Sequence, residues 1–231
     1  MTIETRLDEV RTEYLRRLTH GRGDLLQQVE AYVTARQGKM LRPRLTLLAA
    51  DTLGPDSLAS HRTLLLATAV EMLHNASLLH DDVIDRADSR RGQPSVNTRW
   101  NSCIAVLVGD YHLAQLMRLL DEVDDPDAAR RINNTVLAMV ESELLQQEIL
   151  AGRTLSRDDY LRIIDGKTAR LFATACALGN PLYENFGLHY GRLFQLRDDI
   201  ADHEDNAFTA TLIAEEEQAL AAIKHPLPIQ I

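Results

Sequence analysis

Residues 67–84, ATAVEMLHNASLLHDDVI, decide the fold. The run is too apolar to be a surface helix on all sides, so it predicts a buried one. It leads into Asp81-Asp82-Val83-Ile84-Asp85. Buried carboxylates need partners, because an unpaired charge in a low dielectric is costly and is forced toward its protonated form. Counting by threes and fours from His74 gives Ser77, Asp81 and Asp85. That is a polar stripe on one side of an otherwise apolar helix, and such a stripe is expected to line a cavity.

A second cluster, Asp198-Asp199-Ile200-Ala201-Asp202, also ends an apolar helical run. In each cluster the first and last aspartates stand four residues apart, so on a helix their carboxylates project from one face and can share hard cations. Mg²⁺ fits best, since it binds through one or two carboxylates plus substrate phosphates and keeps several waters. A single acidic pair at this spacing is usually a solvated face. Two copies in one chain point instead to a metal-diphosphate site.

The chain has 231 residues, is 45% hydrophobic and carries no Gly/Pro/Ser-rich linker, which predicts one domain, 1–231, with one sizeable core. The formal net charge is −9 without a basic block. This argues against a nucleic-acid partner and leaves phosphate handling to local Arg, Lys and metal. Cys103 and Cys176 lie in apolar helical runs without CxxC spacing and read as buried free thiols of a reducing compartment. The amino-terminal MTIETRLDEV is charged and amphipathic, unlike a signal peptide. No stretch reads as apolar enough to cross a membrane, so the expectation is a soluble, cytoplasmic protein with no transmembrane segment.

Helical periodicity predicts about ten helices, near residues 2–18, 24–36, 43–53, 57–86, 97–121, 126–152, 157–164, 166–178, 181–204 and 208–224. Pro43 and Pro126 suit first-turn positions, and Ser156 followed by Asp159 resembles a capping box. Breaks are expected at Gly21-Arg22-Gly23, Gly54-Pro55, Arg91-Gly92-Gln93-Pro94 and Gly179-Asn180-Pro181. Long helices joined by short turns predict an all-α bundle, whose ligand sites are built from inward side chains on facing helices.

Five segments in order carry a family resemblance. They are Gly38-Lys39-Met40-Leu41-Arg42-Pro43, EMLHNASLLHDDVID, Arg90-Arg91-Gly92, Gly166-Lys167-Thr168-Ala169, and Phe194-Gln195-Leu196-Arg197 followed by the second acidic cluster. Between about residues 36 and 205 the chain resembles a trans-isoprenyl (polyprenyl) diphosphate synthase. Five motifs in register are far more specific than one. The resemblance implies an isoprenoid synthase-like all-α fold around a central cavity, usually as a homodimer.

It also implies a reaction. An allylic diphosphate ionises, its carbocation adds to the double bond of isopentenyl diphosphate, and a proton is lost. By resemblance Asp81, Asp85, Asp198 and Asp202 are metal ligands or their close partners, with Asp82 and Asp199 behind them. Lys39, Arg42, His74 and Arg91 would hold isopentenyl diphosphate, and Arg90 and Lys167 the allylic diphosphate. Thr168 joins the substrate-binding set beside Lys167, and Gln195 would face the cavity and orient the allylic group or a metal-bound water. Asp81, Asp85, Lys167, Gln195 and Asp198 make up the implied catalytic set. Taken singly, Arg90-Arg91 reads as a solvated turn, Lys167 as a surface lysine and His74 as a core histidine; the shared pattern raises them above that.

Short-chain members of the family tend to place aromatic side chains just before the first cluster, where this chain has Ala76 and Ser77. Small residues leave the tunnel open and imply a product longer than geranylgeranyl diphosphate, although Leu73, Val70 or a facing helix could close it. After Asp202 the sequence lacks the Gly-Lys loop and second lysine of the family pattern, which implies either a short member with a reduced carboxy-terminal region or flexible loops that are absent from this sequence. Three readings stay open at this stage: the synthase, a class I terpene cyclase-like enzyme, and a non-catalytic or regulatory subunit of a heteromeric synthase. The GKMLRP and RRG segments speak against the cyclase, and the retention of all six aspartates speaks against the non-catalytic subunit.

Overall fold

The computed structural model describes residues 1–19, 23–36 and 38–229. Its chain forms two compact units, one of Met1–Arg44 with Ala59–Asp125 and the other of Leu45–Leu58 with Pro126–Ile231. Both are helical. The only sheet among the described residues is a two-residue hairpin in the first unit.

In the first unit, α1 (Ile3–Leu18) starts on Thr2, whose side chain accepts from the Thr5 amide, and buries Leu7, Val10, Tyr14 and Leu18 along one face. The expected buried helix is α5 (His61–Ile84), which packs on α1 and on α7 (Ser102–Val123). From Leu65 to Leu73 every residue of α5 is buried, as the all-round apolarity of the sequence requires. Gly109 of α7 lets the two helices meet closely. A Cβ there would stand 2.3 Å from His80 Nε2. Beside them α2 (Asp24–Thr34) supplies Val29 to a cluster with Leu79, Val96, Ala105 and Val108. Glu30 of α2 and His112 of α7 form a fully buried hydrogen-bonded pair, Nε2 to Oε1 at 3.0 Å.

In the second unit, α8 (Pro126–Leu150) and α9 (Arg157–Ile164) lead into a π-helical turn, Asp165–Ala169, which continues directly as α10 (Arg170–Gly179). Next come a 3₁₀ turn at Pro181–Tyr183, α11 (Glu184–Ala201) and α12 (Thr209–Ala221). Tyr160, Ile164, Leu196 and Leu212 share one core cluster. The capping box is present, with the Asp159 amide donating to Ser156 Oγ at 3.1 Å and that hydroxyl reaching Asp159 Oδ2 at 2.7 Å.

Several expectations need correction. The helix predicted over residues 57–86 is two, α4 (Pro55–Ala59) and α5, because Ser60 caps α5 through the Thr63 amide. The one predicted over 97–121 divides into α6 (Val96–Arg99) and α7 where Asn101 caps the Ile104 amide. The helix placed at 43–53 begins earlier, as α3 (Leu41–Asp51), leaving Pro43 still in the first turn. Gly21 and Arg22 of one predicted break lie outside the described residues. Cys103 is exposed, not buried, whereas Cys176 is buried, and both are free thiols. By length and hydropathy α7 does qualify as a membrane span, with a window averaging 1.3. Part of its apolarity is used in packing, with Ala105, Val108, Leu116, Leu119 and Leu120 buried within the unit, while Val106, Leu107 and Met117 are exposed.

Candidate active site

The two acidic clusters are the same local construction. Each ends its helix, with the last aspartate amide bonded to the carbonyl of the first: Asp85 to Asp81 at 2.8 Å, Asp202 to Asp198 at 2.9 Å. The next residue is left-handed, Arg86 at φ 54° and His203 at φ 60°. The residue after that closes a six-to-one bond, Ala87 to the Asp82 carbonyl at 2.9 Å and Glu204 to the Asp199 carbonyl at 2.7 Å. This is a Schellman cap, built twice without glycine.

Within each cluster the inner aspartate is buried, Asp82 at 3% and Asp199 at 7% exposure, while Asp85, Asp198 and Asp202 are exposed and Asp81 half-buried. Three carboxylates in the last turn stand at the negative end of the helix dipole, where cations are favoured and anions repelled. The outer pairs therefore suit a divalent cation. Among the described residues no group of three or more His, Cys, Asp or Glu side chains forms an all-protein cage. Two carboxylates per cluster match a hard divalent cation that takes its remaining ligands from phosphate and water.

Each inner aspartate holds a partner. Arg90 donates from Nε and Nη2 to Asp82 Oδ1 at 2.8 and 2.5 Å. Burial pushes the Asp82 carboxyl up, and the Arg90 bond opposes that shift. Arg90 stands in a hairpin, Ser89–Arg90 against Gln93–Pro94, turned by Arg91 at φ 53° and Gly92 at φ 72°. Positive φ at both central residues is the geometry that matches strand twist in a two-residue loop. Arg36, which the motifs do not include, fixes this turn. Its Nη1 donates to the carbonyls of Arg91 and Gly92 at 3.1 and 3.0 Å, and Arg91 Nη1 donates back to the Arg36 carbonyl at 3.0 Å.

Arg42 and His74 also meet, with Arg42 Nη1 3.1 Å from His74 Nε2. A guanidinium only donates, so Nε2 is the acceptor and the ring is neutral. Burial, reinforced by the charge of Arg42, holds His74 well below its ordinary range. Lys39 is exposed with no side-chain bond among those described. Asp82, Arg90 and Arg91 line one cavity of about 40 Å³, together with Tyr32, Arg36 and Asn75. Leu73 and Ala76 are buried in the α5 packing, and Ser77 is half-buried with its hydroxyl on the His74 carbonyl at 2.9 Å.

In the second unit Lys167, Gln195 and Asp199 line a cavity of about 240 Å³ with Tyr160, Gln146 and Asn206. Lys167 and Thr168 ride on the π turn, which spreads its backbone by one residue and re-aims the side chains; such turns recur at functional sites. Lys167 Nζ reaches Gln146 Oε1 at 3.4 Å, and the Thr168 hydroxyl donates to Gln195 Oε1. Gln195 Nε2 donates to Asp199 Oδ1 at 2.7 Å. The other Asp199 oxygen accepts from the Tyr160 hydroxyl. Burial and the Asp199 bond push the Tyr160 phenol far up, so it stays protonated. Neither Arg36 nor Tyr160 is marked by a motif. The available signal is weak: a tyrosine on an apolar helix face requires a polar partner.

Twelve α-helices among the described residues and two matched acidic helix ends define an all-α protein with the isoprenoid synthase fold. The chain belongs to the polyprenyl synthetase family, whose model matches residues 23–211. It is 38% identical over 194 residues to the all-trans-nonaprenyl-diphosphate synthase (geranyl-diphosphate specific) of Rhodobacter capsulatus, covering 80% of this chain and 59% of that one. Heptaprenyl diphosphate synthase component 2 of Bacillus subtilis is 33% identical over 198 residues, 81% of this chain and 54% of the relative. The chain therefore spans between half and two thirds of the length of these relatives. The crystal structure of a Caulobacter crescentus polyprenyl synthase complexed with calcium and isoprenyl diphosphate superposes with a TM-score of 0.81 at 32% identity, over 90% of this chain and 65% of that one.

Proposed function

We propose that the chain is a Mg²⁺-dependent prenyltransferase that condenses isopentenyl diphosphate with an allylic diphosphate to give a trans-polyprenyl diphosphate longer than geranylgeranyl. The observation that carries this is the duplicated helix end, which presents two outer carboxylates to a cation and turns the inner one toward an organising partner. Asp81, Asp85, Asp198 and Asp202 would hold Mg²⁺. Bound there, the metal supplies Lewis-acid neutralisation of a departing diphosphate.

The chain's own residues do the rest. Arg42, Arg91 and Lys39 bind the isopentenyl diphosphate, arginine offering a planar fork to phosphate oxygens. Neutral His74 orients Arg42 without adding a charge of its own. Arg90 and Lys167 hold the allylic diphosphate, and Asp82 fixes the direction in which Arg90 points. Gln195 presents its amide dipole beside Lys167, in the cavity where the allylic carbon would ionise, and buried Thr168 donates to its amide oxygen. Small side chains at Ala76 and Ser77, with Leu73 withdrawn into the helix packing, support a long product.

The test is incubation with Mg²⁺, labelled isopentenyl diphosphate and dimethylallyl, geranyl or farnesyl diphosphate, resolving products by length. A discrete long polyprenyl product, lost with EDTA, is expected. Consumption of the allylic diphosphate to a hydrocarbon or alcohol without incorporation would sink the synthase reading. Ser77→Phe should shorten the product by one or more isoprene units, and an unchanged distribution would remove Ser77 from the chain-length set.

We also propose a homodimer. Leu137, Val140 and Leu144 are 57, 52 and 61% exposed on α8 at spacings of three and four, one apolar face of a kind that marks an interaction surface. In sedimentation the chain should run as a dimer at micromolar concentration, and Leu144→Glu should run as a monomer. A wild-type monomer that dimerises only with a second, different subunit would replace this reading. The free thiols Cys103 and Cys176 support the cytoplasm as the place of work.

A further inference from the structure

We infer that Tyr160 is a positioning residue for the allylic site, acting through Asp199 to hold the amide of Gln195 in one of its two orientations. The inference rests on the synthase reading. It starts from a relay of four side chains in the second unit. Thr168 donates to Gln195 Oε1, Gln195 Nε2 donates to Asp199 Oδ1 at 2.7 Å, and the Tyr160 hydroxyl donates to Asp199 Oδ2. Thr209 Oγ1 stands 3.2 Å from the Tyr160 oxygen and accepts from the Asn206 amide at 3.0 Å. Its own proton is then available to the phenol oxygen.

The direction of the relay follows from donor and acceptor chemistry. A glutamine amide can flip, placing either its oxygen or its NH₂ toward a neighbour. Facing Asp199, only the NH₂ end is acceptable. The oxygen end must then turn to Thr168, which donates to it and keeps its own lone pairs. One orientation therefore leaves acceptor character on Thr168 and one free Gln195 proton, and the other would reverse both. This works only while the Asp199 carboxylate is itself fixed. Asp199 is 7% exposed and its Oδ2 has Tyr160 as its donor, so loss of the phenol hydroxyl frees the carboxylate to turn and the amide to follow.

Tyr160→Phe is the discriminating variant, because the ring keeps its place among Ile164, Leu196 and Leu212. Expected is a fall in kcat for elongation of about tenfold to a hundredfold, the scale of a displaced catalytic group. The KM for isopentenyl diphosphate should not change. In a Gln195→Ala background the same substitution should cost nothing further, since the group it positions is gone. A merely structural role would cost the same in both backgrounds, and that additive result overturns the inference. A second readout is independent of turnover. The side-chain NH₂ resonance pair of Gln195, assigned by its absence in Gln195→Ala, should shift in Tyr160→Phe. If the wild-type chain makes no polyprenyl product, the synthase reading fails, and the resonance pair alone decides whether Tyr160 holds the amide. An unmoved pair overturns the positioning role whatever the activity.

Discussion

Asp85→Asn is expected to cut elongation by about a thousandfold, roughly 4 kcal/mol of transition-state stabilisation, while leaving the thermal midpoint unchanged or slightly raised. The two effects separate because of where the residue stands. Asp85 is the exposed C-cap of α5, with its amide on the Asp81 carbonyl at 2.8 Å. Its charge adds to the negative end of that helix. Neutralising an anion there recovers up to about 1 kcal/mol of stability in the absence of metal. Asp82→Asn should behave differently. Its carboxylate is buried and takes both bonds of Arg90, so its loss should lower stability by about 1–3 kcal/mol as well as activity. Asp202→Asn repeats the outer case on α11. Thermal scans with and without Mg²⁺, beside the elongation assay, read both quantities. If Asp85→Asn lost stability in step with activity, the cluster would be structural and the metal site would have to be given up.

That contrast could be read only in part from the sequence. The spacing of the two clusters, their place at the ends of apolar runs and the expectation that Asp82 and Asp199 point away from the outer pair all follow from helical periodicity. What Asp82 and Asp199 reach does not. Arg90 lies eight residues from Asp82 across a hairpin whose strands are two residues long, too short for an alternating pattern. Its turn places Arg91 rather than Asn or Asp at a positive φ. Tyr160 lies 39 residues from Asp199, and only packing brings them together. Breaks at Ser60 and Asn101 were obscured for a different reason: apolar periodicity runs across both, and a single capping side chain outweighs it. The exposure of Cys103 follows from the second of these breaks, since it places the thiol in the first turn of α7.

The π turn is the feature most hidden from the sequence, and it carries the second large effect. Gly166→Ala should lower stability by about 1–3 kcal/mol, the range for overpacking a close-packed site, and should lower elongation at least tenfold when assayed well below its own unfolding midpoint. In an ordinary helix the same change stabilises by roughly 0.5–1 kcal/mol, because alanine gives up less backbone freedom on folding. Here the sign reverses. An added Cβ would lie 2.4 Å from Ser142 Cβ and 2.5 Å from the Ala138 carbonyl oxygen, both on α8, so the turn must move away from that helix. Lys167 and Thr168 are the next two residues and move with it, withdrawing one from Gln146 and the other from Gln195. Gly179→Ala separates the two consequences. Its Cβ would stand 2.1 Å from the Thr46 carbonyl oxygen, a worse clash at the far end of α10, so it should cost stability while sparing turnover in the molecules that remain folded. Ser142→Gly added to Gly166→Ala should restore activity only in part, because it removes the contacts at Cβ and Oγ but leaves the Ala138 oxygen where it is. Full restoration would mean that the Ser142 side chain alone sets the approach of α8. No restoration would mean that the Ala138 backbone contact alone displaces the turn.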